Sequence, residues 1–251
     1  MTFVIDSFPC GEDRYSRIYA VVAIDVIRAS TTVVTAAAAG RKCWPVTSVD
    51  EAFRLREEST RCLLAGEVGG LKPEGFDLNN SPASVALRSD HHRPMVLLSS
   101  SGTKLMVESS MRTETYVACL RNYKATAAHV GRWHERIALL GAATRDEFRE
   151  EDQLCCAWIG AELLRLGHEP EDQKTARLIE QWGAASVEAC AKGNSAAYLR
   201  RSGQLEDLDF ILAHVDDVPQ VFRLIGGEVE AVATSLIARN DPPAAESQLA
   251  A

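Results

Sequence analysis

The sequence predicts an α/β fold, a mostly parallel sheet with helices on both faces. Three observations carry this. Apolar runs of strand length alternate with helix-period segments along most of the chain, the mark of strand–helix–strand units. The clearest run is apolar almost throughout rather than alternately, as a strand covered on both faces must be. No repeat of solenoid type interrupts the alternation.

Taken in order, "RIYAVVAIDVI" (17–27) is that strand. "TTVVTAAAAGRK" follows as a short helix closed by Gly40, a residue suited to the left-handed turn after a helix. "CWPVTS" reads as a strand and 49–59 as an amphipathic helix. "RCLLAGE" (61–67) is a strand that enters a glycine-rich loop, "GEVGGLKPEGFDLNN". Residues 81–88 form a helix with Ser81 as N-cap and Pro82 at its first position. Residues 93–100 are a strand, followed by a turn and helix at "SGTKLMVESS". The strand 115–120, the helix "NYKATAAHVGRWH", the strand 136–142 and a strong helix from Glu150 to about Leu166 complete the alternation. Residues 170–232 are mainly helical in pattern, with a late apolar segment, "VFRLIGGEVEAVA". Residues 1–238 are read as a single domain, with a division into two lobes near 145 as the alternative, and 239–251 as a flexible tail.

Composition sets limits. The net charge is −8 and hydrophobic residues make up 46% of the 251. An acidic balance argues against binding nucleic acid through a basic surface, yet leaves room for a small anionic substrate, because the local field decides. No run approaches the length of a membrane span, and the N-terminus lacks the regions of a secretory signal. The seven cysteines are scattered, without a C-x-x-C pair, and read as reduced, buried thiols in a cytoplasmic protein. The cysteine-phosphatase loop C-x₅-R, the nucleophile elbow G-x-S-x-G, the dinucleotide motif G-x-G-x-x-G and the P-loop are all absent.

In parallel sheets ligands bind beyond the carboxyl ends of the strands. Three such ends carry polar groups. "DVIRASTT" offers Asp25 as a hard oxygen donor suited to Mg²⁺, and Arg28 as a planar fork for a phosphate or sulfonate. Ser30 to Thr32 open a helix whose first amides favour an anion. The plainer reading is a capping serine with a structural Asp–Arg pair. "SSSGTK" (99–104) is a hydroxyl-rich turn able to wrap an anion with its amides, or an ordinary strand–helix turn. The glycine-rich loop places Glu67, Glu74 and Asp77 among four glycines, which suits a metal that takes one or two carboxylates plus waters, or a flexible surface loop. Glu151 and Asp152 near a helix start complement its dipole. The six histidines have no ligand spacing.

These stretches, in this order, resemble the 2-phosphosulfolactate phosphatase (ComB-like) family over roughly residues 20–235. The resemblance implies a three-layer αβα fold with a mostly parallel or mixed sheet, and a Mg²⁺-dependent phosphoric monoester hydrolase. The implied reaction is hydrolysis of 2-phosphosulfolactate to 3-sulfolactate and phosphate, a step toward coenzyme M. Position by position it implies Asp25, Arg28 and Glu67 as catalytic residues. Arg28, Ser30, Thr31, Asn80, Ser81, Ser101, Gly102, Thr103 and Asn122 are implied as substrate-binding residues, and Asp25, Glu67, Asp77 and Asp152 as metal ligands. The sequence departs from the family's pattern at Ser101, where an asparagine is usual, and at Asn79, where a glycine is usual. A homodimer acting on a small anionic phosphate ester, with no nucleic acid or membrane partner, fits this resemblance. Lys72, Lys104 and Arg121 are candidates for the substrate's further anionic groups. Direct attack by water and an aspartyl-phosphate at Asp25 both remain open. So do a phosphatase for a different small monoester and a non-catalytic anion-binding homologue.

Overall fold

The computed structural model describes residues 1–9, 14–15, 17–58, 61–143 and 147–233. The expected tail 239–251, the division near 145 and Cys10 lie outside these residues. Among the described residues ten strands form one mixed sheet. In chain order they are β1 (Thr2–Phe8), β2 (Ala20–Ile24), β3 (Cys43–Val46), β4 (Leu63–Gly66), β5 (Met95–Leu98), β6 (Thr115–Ala118), β7 (Arg136–Ala142), β8 (Glu169–Pro170), β9 (Phe222–Ile225) and β10 (Glu228–Ala231). Their spatial order is β4-β5-β3-β10-β9-β6-β2-β7-β1-β8. The helices are α1 (Ala29–Ala38), α2 (Val49–Glu58), α3 (Pro82–Ala86), α4 (Gly102–Ser110), α5 (Tyr123–Trp133), α6 (Glu150–Arg165), α7 (Gln173–Trp182), α8 (Asn194–Arg201) and α9 (Leu205–Ala213), with a 3-10 turn at Val187–Lys192.

The layers follow from two-faced apolar strands. In β2, Val21 and Ala23 face one core, which also holds Val33 and Val34 of α1 and Leu105 and Met106 of α4. Ala20, Val22 and Ile24 face a second core against α5 and α6. Val46, Leu64, Val96 and Leu98 close a third core against α2. Helices thus cover both faces, and the sheet lies between them. The six described cysteines are buried and unpaired. Among the described residues no helix is long and apolar enough to cross a membrane.

β4, β5 and β3 pair in parallel, as do β6, β2, β7, β1 and β8. The hairpin β9–β10 joins the two sets by antiparallel pairing on each side. It lies in the segment expected to be mainly helical, whose helices end at Ala213. Gly226 and Gly227, at φ 57° and 86°, supply the two left-handed positions of a tight hairpin turn, and that turn converts one apolar segment into two strands. Crossing this hairpin reverses the nominal strand direction. The sheet's right-handed twist rotates the two parallel sets relative to each other across the hairpin. Gly102, just beyond β5, lies against Asp25, just beyond β2.

The expected helix at Ser81 holds in detail. The Ser81 hydroxyl accepts from the Ser84 amide and Pro82 occupies the first turn. Gly40, at φ 78°, follows α1. The strand β1 was not apparent in the sequence, because Asp6 and Ser7 break its apolar run. It pairs with β7 over its whole length.

Candidate active site

Asp25 leaves β2 and begins the turn into α1. Its Oδ1 accepts from the Ala29 amide at 3.2 Å, and its carbonyl accepts from the Ser30 amide at 2.9 Å and the Ser30 hydroxyl at 2.7 Å. The Thr31 hydroxyl donates to the Val26 carbonyl at 2.8 Å. Ser30 and Thr31 therefore spend their hydroxyls on shaping the loop that holds Asp25. The other oxygen, Oδ2, is the atom nearest the place where a Cβ on Gly102 would stand.

Asp152, in the first turn of α6, reaches the same place from behind. Its Oδ1 accepts from the Val26 amide at 2.8 Å. Glu151 is buried beside it, with Oε2 lacking any partner. Burial pushes the Asp25 carboxyl up to about 7, and the charges of Glu67 and Glu151 add to the rise. Burial likewise raises Glu151, and it holds Asp152 well above the usual carboxylate range, helped by Glu151 and Asp25. Three carboxyl groups thus share a site with too little solvent to keep them all charged.

Glu67 follows β4 and is tied to the turn after β5. It accepts from the Ser100 amide at 2.7 Å, the Ser100 hydroxyl at 2.9 Å and the Gly70 amide at 2.6 Å. It thereby fixes the turn after β5 against the glycine-rich loop. In that turn Thr103 is bound back to Ser99 through both hydroxyl and amide. Ser101 precedes α4 without a side-chain cap bond, so its hydroxyl is not committed to the helix.

Arg28 is buried, and its partner is Asp207 of α9. Nη1 donates to Asp207 Oδ2 at 2.6 Å, and the same nitrogen bonds Gln204 Oε1. Asp207 Oδ1 accepts from the Ser81 hydroxyl at 2.5 Å and the Ala83 amide at 3.2 Å. Asn80 accepts from the Thr32 hydroxyl at 2.8 Å. The Asp25 turn, the start of α3 and α9 are therefore one hydrogen-bonded unit.

The structure gathers Asp25, Arg28, Glu67, Glu151 and Asp152, with Ser101 to Thr103, Asn80 and Ser81 at the margins. Two expected residues lie apart. Asp77 is not with these carboxylates: Arg56 pairs with it, and its Oδ2 accepts from the Leu64 amide. Asn122 is fully buried and clamps the turn after β6, accepting from the Cys119 amide and donating to the Val117 carbonyl. The extra cations are also committed elsewhere. Lys72 bonds the Phe76 carbonyl, Lys104 pairs with Glu108, and Arg121 grips Asp217 through two nitrogens. Asp207 and Gln204 were missed. The only signal for them was that an arginine inside an apolar run must have a partner.

Among the described residues no three His, Cys, Asp or Glu side chains form a ready-made metal cage. The donor set still fits a hard divalent cation. Mg²⁺ usually takes one or two carboxylates and keeps several waters. Here crowded carboxyl groups and the unpartnered Glu151 Oε2 are what such a charge would relieve. Asp25 and Asp152, whose charges act on one another, would be the first residues to hold it, with Glu151 and Glu67 as the other acidic groups whose charges act on Asp25.

The family model for 2-phosphosulpholactate phosphatase matches residues 9–224. A probable 2-phosphosulfolactate phosphatase of Carboxydothermus hydrogenoformans is 34% identical over 199 residues, which is 70% of this chain and 82% of that protein. One of Clostridium perfringens is 28% identical, covering 86% of this chain and 90% of its own length. Another, of Caldanaerobacter subterraneus, is 30% identical over 83% and 89% respectively. This match places the chain in the 2-phosphosulpholactate phosphatase family of phosphoric monoester hydrolases.

Proposed function

We propose that this chain uses Mg²⁺ to hydrolyse the phosphate ester of a small sulfonated acid, 2-phosphosulfolactate, giving 3-sulfolactate and phosphate on the route to coenzyme M. The observation that carries this reading is the buried carboxylate set at the end of β2 with Arg28 beside it. Phosphoryl transfer needs positioning and charge neutralisation more than covalent help. When bound, the cation supplies positive charge for the phosphoryl oxygens and lowers the pKa of a water.

The chain's own residues do the rest. Arg28 takes the phosphoryl oxygens on its planar fork. The Ser101 hydroxyl and the amides at the start of α4, which lies against Asp25, add further donors. A water adds to phosphorus, the ester P–O bond breaks, and the leaving alkoxide gains a proton. A carboxylate of this set that is not engaged by the cation orients that water and takes its proton. The reduced state of the buried cysteines suits a cytoplasmic setting.

Phosphate release from an aryl phosphate is expected with Mg²⁺ and not with a chelator. Equal rates in both would remove the metal from the reading, and no release under either condition would favour a binder. Arg28→Lys is expected to raise KM by roughly 10- to 100-fold, because a point charge cannot replace a bidentate fork. A panel of phosphomonoesters with and without a sulfonate would test the substrate. Equal kcat/KM across the panel would sink the sulfonated acid.

A further inference from the structure

Arg28 is held in an unusual way for a charge so deep in the protein. The side chains of Arg28 and Asp207 are each only 4% exposed. A buried ion pair returns little net stability once its desolvation is counted, so stability alone is a weak reason for placing it there. Its geometry offers a better one. Asp207 Oδ2 and Gln204 Oε1 both take Nη1, and a guanidinium carries five N–H donors in a rigid fork. Fixing one tip leaves the Nε–Nη2 edge to face another acceptor. That edge is the one that meets two oxygens of a phosphate at once.

The anchors are themselves anchored. Asp207 Oδ1 is bound by the Ser81 hydroxyl and the Ala83 amide. Gln204 Oε1 also accepts from Asn79 Nδ2 at 2.9 Å. The arginine therefore rests on α9 and on the segment before α3, 179 residues and about 50 residues away in the chain. A phosphate arriving at Arg28 finds a guanidinium whose position has already been set, so little ordering remains to be done on binding.

We propose that Asp207, assisted by Gln204, is the positioning residue of this site: it fixes Arg28 by one nitrogen so that the opposite edge of the fork binds the phosphoryl group. The proposal rests on the reading of Arg28 as the phosphate clamp. Asp207→Asn keeps the size of the side chain and an oxygen for Ser81, but sets an amide N–H against Nη1. Gln204→Ala removes the second acceptor and disturbs the fold less.

The experiment measures inorganic phosphate binding by calorimetry, which needs no turnover, beside kcat and KM for an aryl phosphate with Mg²⁺. Both variants are expected to weaken phosphate binding and raise KM together, by roughly 10- to 100-fold for Asp207→Asn and less for Gln204→Ala, with a smaller change in kcat. In an Arg28→Lys background the same changes should have little further effect, since the edge they present is gone. If wild type binds phosphate and both folded variants bind it equally well, with only Tm lowered, Asp207 is structural and the proposal is overturned. If wild type itself neither binds phosphate nor releases it from the ester, the clamp reading of Arg28 fails, and the proposal fails with it.

Discussion

Asp25→Asn is expected to reduce phosphomonoester turnover by at least about 10³-fold and, in the absence of metal, to make the folded protein more stable at pH 8. The two effects have one cause. Asp25 is held at about 7 against an ordinary value of 3.8, chiefly by burial and then by Glu67 and Glu151, with Arg28 pulling the other way. The native state therefore binds this proton more tightly than the unfolded chain does. Below about pH 4 both states are protonated and the group costs nothing. As pH rises from about 4 to about 7 the unfolded chain ionises freely while the native carboxyl resists, so stability falls across that window and stays lower above it. Asparagine has no proton to lose, yet its oxygen can still accept from the Ala29 amide.

The gap between the variant and wild type should thus be near zero at pH 4 and full by pH 8. Three pH units at about 1.4 kcal/mol each set an upper limit on the order of 4 kcal/mol. For a chain of this size that is a rise in Tm of up to roughly 10 °C. Asp152 and Glu151 are raised too, and their contribution has the same sign, so the wild-type slope should exceed that of Asp25 alone. Added Mg²⁺ should narrow the gap, because the cation restores value to the charged form. Thermal melts of both proteins from pH 4 to 8, with and without Mg²⁺, provide the check. Identical melting curves for the two proteins across that range would show that Asp25 is not under electrostatic strain.

How much of this could be read in advance follows from where the signals lie in the chain. Asp25 and Arg28 announced themselves, because charges inside an apolar run are unusual and the run ends where ligands bind. Ser81 and Pro82 gave α3 correctly, since capping chemistry is local. The β9–β10 pair was harder. Its ten residues have no strict alternation, and the turn that divides them depends on two glycines adopting positive φ. Asp77 resembled a metal ligand because it stood among glycines and acids, but its partner Arg56 lies on α2, 21 residues away. Asp207 resembled an ordinary acid in the first turn of a helix. Nothing near it in sequence pointed to Arg28. Local chemistry was legible, whereas pairings made by tertiary contact were not.

Gly102→Ala is expected to lower kcat/KM by roughly 10²-fold or more and to lower Tm by several degrees, although the change is favourable for the helix taken alone. Alanine exceeds glycine in helix propensity by about 1 kcal/mol, and Gly102 is the first residue of α4. What opposes the substitution is space. A Cβ at this position would lie 2.1 Å from Asp25 Oδ2, 2.7 Å from the Ala29 Cβ and 2.8 Å from the Asp25 Cβ. Contacts this short cannot be kept, so α4 must retreat or Asp25 must turn. Retreat is resisted because Leu105 and Met106 of α4 are fully buried in the core they share with Val33 and Val34 of α1, and such cores tolerate displacement poorly. Turning is resisted because Asp25 Oδ1 accepts from the Ala29 amide and its carbonyl holds Ser30. Either response moves the turn at Ser101 relative to the carboxylates, and an ångström there is enough to lose catalysis. The two costs can be separated. Adding Asp25→Ala removes Oδ2, the closest of the clashing atoms, so the Tm penalty of Gly102→Ala should shrink in that background while the contacts to the two Cβ atoms preserve part of it. A Gly102→Ala protein with wild-type kcat/KM would mean that α4 need not approach Asp25 for the reaction to proceed. The donors assigned to the start of α4 would then have to come from other residues.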